Sequence, residues 1–238
     1  MKHREPITIE LPVGYTDKQG NRHTSVTIGR AAKGSEIFSL ALALHGQSGI
    51  AYTLQLLCVA ITRFGSLPMP VSSSILLSLD SIDFDDLRQA YNTFYESCGN
   101  PVIEESSVKM IFGLEIGGAV FDIAEFSGNA TDEDYIKAER RGLVGVAGFC
   151  FVAGQQVSRL RQSDGDRAIE GQLNIRQLMR LDSIDLLAIM TGSQLWQKST
   201  RLLAGLAGVG DKAALEIAAS GGPVFDCAIN RLLGHLDN

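Results

Sequence analysis

The chain has 238 residues, 45% of them apolar, and a formal net charge of −6; that length suits one large domain or two of about 100 residues each. The balance argues against disorder over most of the length, because disorder needs low hydrophobicity and high net charge. It also provides no general attraction to phosphate backbones or anionic membranes.

The first segment, MKHREPITIEL, carries charge but no apolar core of a leader, so no secretory signal is expected and the cytoplasm is the predicted location. Ile7, Ile9 and Leu11 alternate with polar residues, turn formers run from Tyr15 to Arg22, and Val26 and Ile28 alternate again. This pattern predicts a β-hairpin. Ser35 is placed to cap a helix with Ile37, Phe38, Leu40, Ala41 and Leu44 on its apolar stripe, ending near His45-Gly46. A second helix is predicted from Ile50 to Phe64, stopped by Gly65, Pro68 and Pro70, and a third from Ser81 to about Ser97 with Phe84, Leu87, Tyr91 and Phe94 buried.

The order then starts again. Val108 to Ile116 and Ala119 to Phe126 read as strands split by Gly117-Gly118, a strong hairpin signal. Thr131 and Asp134 form a variant capping box for a helix towards Arg141. Further helices are predicted from Leu143 through Cys150 to Leu160 and from Ser183 to Lys198. Leu79-Asp80-Ser81-Ile82-Asp83 recurs as Leu181-Asp182-Ser183-Ile184-Asp185, and Leu57-Cys58-Val59-Ala60 is echoed more weakly by Phe149-Cys150-Phe151-Val152-Ala153. The predicted fold is therefore α+β. Two related units of β-hairpin followed by helices occupy 1–98 and 102–198, joined through Cys98-Gly99-Asn100-Pro101, and a helical C-terminal tail occupies 199–238.

Little in the chain points to chemistry. The four cysteines, Cys58, Cys98, Cys150 and Cys227, are far apart, and three sit in apolar surroundings where a thiol acts as a small buried hydrophobe. His3, His23, His45 and His235 lack a ligand partner at helical spacing. The serines form no nucleophile elbow. No catalytic residue, metal or cofactor is expected. Arg140, Arg141, Arg159, Arg161, Arg167, Arg176 and Arg180 concentrate in the second half and are read as a solvated helix face. Gly142 to Gly154 is the longest weakly polar stretch, too short to span a bilayer, which takes about 20 apolar residues. The repeated Leu-Asp-Ser-Ile-Asp could offer a carboxylate pair, but an Asp before a helix and another in its first turn are expected to cap it and to suit its dipole.

Two features of the tail compete with this reading. Gly205 to Ala213 looks like a phosphate loop, but Asp211 precedes Lys212 and Ala213 stands where a hydroxyl is needed. Gly208-Val209-Gly210, between Leu203 and Ile217, resembles a helix-hairpin-helix turn, whose backbone N–H groups grip a DNA phosphate, with Lys212 placed to help. A nucleic-acid-binding module using Gly208, Gly210 and Lys212 is thus the alternative, disfavoured by the acidic chain.

Ile9 to His23, followed by Ser25-Val26-Thr27-Ile28 and Lys33-Gly34-Ser35-Glu36, resembles the opening of tail-assembly proteins from tailed bacteriophages and related contractile particles. There a strand with a Leu-Pro-x-Gly-Tyr core meets Asp-x-x-Gly and His, and a second strand leads through Gly-x-Glu into helices. The segment from Leu79 to Phe94 is similar to their closing helix, so the resemblance covers about the first hundred residues. It implies a non-enzymatic protein acting in host cytoplasm or in the virion tail, as a chaperone or as a tail or baseplate subunit, with other tail proteins as partners. Self-association is left open, and no membrane is involved. The predicted docking element is the hairpin, with Ile7, Ile9, Leu11, Tyr15, Val26 and Ile28 as its binding residues, since hairpin edges can accept a partner strand.

Overall fold

The computed structural model describes residues 4–44 and 49–206. In the first half, β1 (Ile7–Thr16) and β2 (Arg22–Ile28) form the expected hairpin, followed by α1 (Gly34–Ala43), α2 (Gly49–Ala60), β3 (Ile61–Phe64), α3 (Ser73–Leu77) and α4 (Ser81–Glu96). The second half runs β4 (Val102–Ile103), β5 (Ser107–Ile116), β6 (Ala119–Phe126), α5 (Asp132–Arg140), α6 (Gly145–Gln156), β7 (Val157–Arg161), β8 (Ala168–Glu170), α7 (Ile175–Arg180) and α8 (Ser183–Leu206). Its hairpin turns on Gly117 and Gly118, both at positive φ (59° and 77°), as a tight turn between right-twisted strands requires. The architecture is α+β, with antiparallel sheets ordered β1-β2-β3 and β4-β5-β6-β7-β8.

Several boundaries correct the sequence reading. The second helix stops at Ala60 rather than Phe64, because Ile61 to Phe64 leaves the helix to pair with β2. The helix expected to run to Leu160 likewise ends at Gln156 and continues as β7, paired with β6. A short apolar run is compatible with helix or strand, and here a sheet edge in need of a partner decides. The final helix passes Lys198 and reaches Leu206, so the proposed start of a tail at 199 falls inside α8. The short α3 and α7 were not anticipated, nor were β4 and β8.

The halves repeat in register, beyond their order of elements. Val26 lies between Ile9 and Phe64 as Ala124 lies between Val108 and Leu160. The first hairpin slips register between Glu10 and Tyr15, the second between Lys109 and Leu114. The pairing with the third strand slips between Thr27 and Ile28, and between Glu125 and Phe126. By this register Leu57-Cys58-Val59-Ala60 abuts β3 directly, whereas Cys150 lies well inside α6. That echo is thus not a structural equivalence, unlike Leu-Asp-Ser-Ile-Asp, which opens α4 and α8 alike.

Each half has a core, but the first half contributes to both. Leu11, Val26, Ile28, Leu57, Phe64, Leu87 and Phe94 build the first. The second gathers Val108, Leu114, Phe121, Cys150, Leu160, Leu178 and Leu186, and it also takes in Ala32, Ile37 and Phe38 from the first half. Helix α1 therefore crosses to the second half and packs on α6 and α7.

Candidate functional site

The segment that carries the family resemblance folds into one hydrogen-bonded unit around a strand bulge. Gly14 takes φ +75°, and a Cβ there would come within 2.5 Å of the His23 carbonyl oxygen, so only glycine fits without strain. The bulge turns its N–H groups inward. Val13 N–H and Gly14 N–H donate to the two carboxylate oxygens of Asp83 at 3.0 and 2.6 Å. From the other side Arg22 donates to the Val13 and Pro12 carbonyls, both at 2.6 Å. A register slip that would otherwise leave polar groups bare is thereby satisfied on both sides.

The second half has the same device. Gly113, at φ +71°, sits in the β5 bulge, and Asp185 accepts from the N–H groups of Ile111, Phe112 and Gly113 at 2.7 to 2.9 Å. The first bulge has one donor fewer because Pro12, at the place of Ile111, has no N–H. Burial pushes the Asp185 carboxyl up, against the pull of those three donors. The repeated motif thus divides its labour. Asp80 and Asp182 cap their helices by accepting from Ile82 N–H and Ile184 N–H, as expected. The second aspartates, expected to serve the helix dipole, instead reach across to clamp a strand bulge, a contact that no helix pattern reveals.

The turn between β1 and β2 is also tightly built. Asp17 accepts from Gln19 N–H and Asn21 N–H, each at 2.9 Å, and from the Asn21 side chain at 3.0 Å. His23, buried under Tyr15 with ring centroids 6.3 Å apart, places Nε2 3.1 Å from Asp17. Ser66 N–H donates to Nδ1 at 3.4 Å, which makes Nδ1 the acceptor and leaves Nε2–H for Asp17. The donors from Asn21, with His23 and the other backbone groups, hold the Asp17 carboxyl down at about 2. The aspartate, glycine and histidine of the motif are thus scaffold: they fix the loop's shape.

The predicted docking residues do not form an open face. Leu11, Val26 and Ile28 are buried in the first core, Ile7 and Ile9 pack against it, and Tyr15 is spent on His23. The alternation correctly marks one apolar face, but β1 lies on α4 and that face is closed. What remains open is the outer edge of β1, together with Val13 at the bulge. Gly208, Gly210 and Lys212 lie outside the described residues.

The larger joint is between the halves. Asp182, buried, receives two parallel hydrogen bonds from the guanidinium of Arg4 at 3.0 and 3.1 Å, with the Lys33 ammonium 3.8 Å away. Arg4 is itself buried, its guanidinium 4.5 Å from the centre of the Phe112 ring and 5.3 Å from that of Tyr95. Beside it Gly34 N–H donates to the Leu181 carbonyl at 2.8 Å and Ser183 N–H to the Ala32 carbonyl at 3.0 Å. Sequence reasoning missed this joint because its partners lie far apart in the chain.

Exposed apolar side chains occur over both halves, among them Leu42, Ile50, Met69, Val102 and Val120; Leu77 and Ile82 flank the α3–α4 junction, and Tyr135, Ile136 and Phe149 lie on α5 and α6. Among the described residues no three of His, Cys, Asp and Glu stand together to hold a metal, and no helix is long and apolar enough to cross a membrane. Burial pushes the Cys150 thiol up to about 12, so it packs as a hydrophobe. No protein-family model, curated protein or solved structure matches the chain.

Proposed function

We propose that the protein acts in assembly of a phage-type contractile tail, as a chaperone or as a tail or baseplate subunit, by docking onto other proteins without a chemical step. The tail role rests on the resemblance of Ile9 to Glu36 and Leu79 to Phe94 to tail-assembly proteins. One observation supports a docking mechanism above the others: apolar side chains are left bare on both halves, at Leu77 and Ile82 and at Tyr135, Ile136 and Phe149. The Tyr135 and Phe149 rings stand edge to face with centroids 6.5 Å apart, and exposed apolar side chains grouped in this way mark protein contact. The hydrogen-bonded turn from Asp17 to His23 and the open edge of β1 add a shaped loop and a strand edge.

Peptide mass spectrometry on purified intact particles, and on tail proteins pulled from assembly-stage lysate with the tagged chain, tests the proposal. Stoichiometric presence in particles makes the protein a subunit. Presence only in the lysate complexes makes it a chaperone. Recovery in neither fraction overturns the tail role.

A further inference from the structure

The shared register, capping boxes and repeated motif allow matched residues of the two halves to be set against each other, and two surfaces then stand out as half of a joint already made once. Within the chain, the segment after β2 and the start of α1 seat on the α7–α8 junction. Ile37 and Phe38 are 2% and 1% exposed there. Their counterparts after β6, set by the matching capping boxes of Glu36 on Lys33 and Asp134 on Thr131, are Tyr135 and Ile136. These are 38% and 44% exposed. The receiving side repeats the contrast. Ile184 is 6% exposed and Ile82, its counterpart in an identical Leu-Asp-Ser-Ile-Asp, is 58% exposed. Asp182 and Ser183 are buried, Asp80 and Ser81 are not.

We propose that copies of this chain associate head to tail, the Ala130–Ile136 segment of one copy seating on the α3–α4 junction of the next, as Ala32–Phe38 seats on the α7–α8 junction within a chain. One occupant covers both bare surfaces, and the joint between halves is its template. Donor and acceptor lie on different halves, so the contact is heterologous and each added copy leaves a free donor and a free acceptor for the next. The inference does not depend on the tail reading.

The template also says where the joint between copies is weaker. The strand register puts Ile103 at the place of Arg4, and Lys33 and Gly34 are replaced by Thr131 and Asp132, so Asp80 meets a carboxylate where Asp182 meets two cations. A Cβ at Gly34 would stand 2.1 Å from the Leu178 carbonyl oxygen, so Asp132 must hold that end of the joint slightly open. Association between copies should therefore strengthen as salt screens the carboxylates.

Sedimentation velocity of the full chain over a concentration series, at low and at raised salt, reads this directly. The expected result is reversible growth in mass, stronger at raised salt, with Thr131→Lys/Asp132→Gly tightening it about tenfold or more. Ile82→Glu and Ile136→Glu change exposed positions and should each leave a monomer with an unaltered circular dichroism spectrum. Mixed, the two variants should form a dimer that grows no further, since each retains the surface the other has lost. A wild-type chain that stays monomeric, association indifferent to both glutamates, or a mixture that stays monomeric overturns the proposal.

Discussion

Asp83 and Asp185 carry one structural duty with different loads. Removing Asp185 leaves the buried N–H of Ile111 and the half-buried N–H groups of Phe112 and Gly113 without an acceptor, and a bare buried donor costs about 1–3 kcal/mol, a half-buried one less because water reaches it. Asp185→Ala should therefore lower unfolding free energy by about 2–3 kcal/mol in urea titration. Asp83→Ala should cost less, because it strands only the donors of Val13 and Gly14. Equal losses would show that the bulges are not what these residues hold. Asp17 has a signature in pH. Its carboxyl is lowered from 3.8 to about 2, chiefly by hydrogen bonds from Asn21. The folded state thus favours the charged form, and this contribution to stability is complete above the unfolded value and lost as pH falls from 3.8 towards 2. Asp17→Asn should flatten the stability profile over that window, measured by denaturant midpoint at each pH.

At the scale of elements, the hairpin cannot be treated as a detachable appendage. Deleting residues 1–30 removes β1 and β2, and with them Leu11, Val26 and Ile28 from the first core. The remainder should lose the cooperative unfolding of the first half, seen as a smaller denaturant m-value than that of the full chain, so the docking role of the loop is better tested by changes at its exposed tip. Much at this scale was legible in the sequence. Alternation at Ile7 to Leu11 and Val108 to Ile116, the paired glycines at 117 and 118, and the aspartate caps at 80 and 182 are local signals with local causes. The ends of α2 and α6 were not legible, because Ala60-Ile61 and Gln156-Val157 join a helix to a strand with no glycine or proline between. Only the edges of β2 and β6 turn those residues into strands.

At the scale of the molecule, the joint between halves rests on a buried ion pair. Arg4→Ala would leave Asp182 in the interior with only the more distant Lys33, a loss of roughly 3–5 kcal/mol by comparison with other broken buried pairs. For a chain of this size that corresponds to a fall in Tm of about 10 °C; a fall of under about 2 °C would mean that Lys33 and water replace Arg4. By itself the sequence determined the α+β class, both hairpins, the starts of α4, α5 and α8 and the repeated motif, because each depends on residues within one turn or strand of each other; α1 departs from this, with Lys33 at its cap and Ser35, the expected cap, inside the helix. The tertiary structure alone decided that Asp83 and Asp185 clamp bulges, that Leu11, Val26 and Ile28 point into a core, and that α1 belongs to the second half. The clamps and the placement of α1 depend on contacts between residues some 70 or more positions apart, the burial of the hairpin on elements as distant as β3 and α4, and no local pattern records which of two identical motifs will be covered.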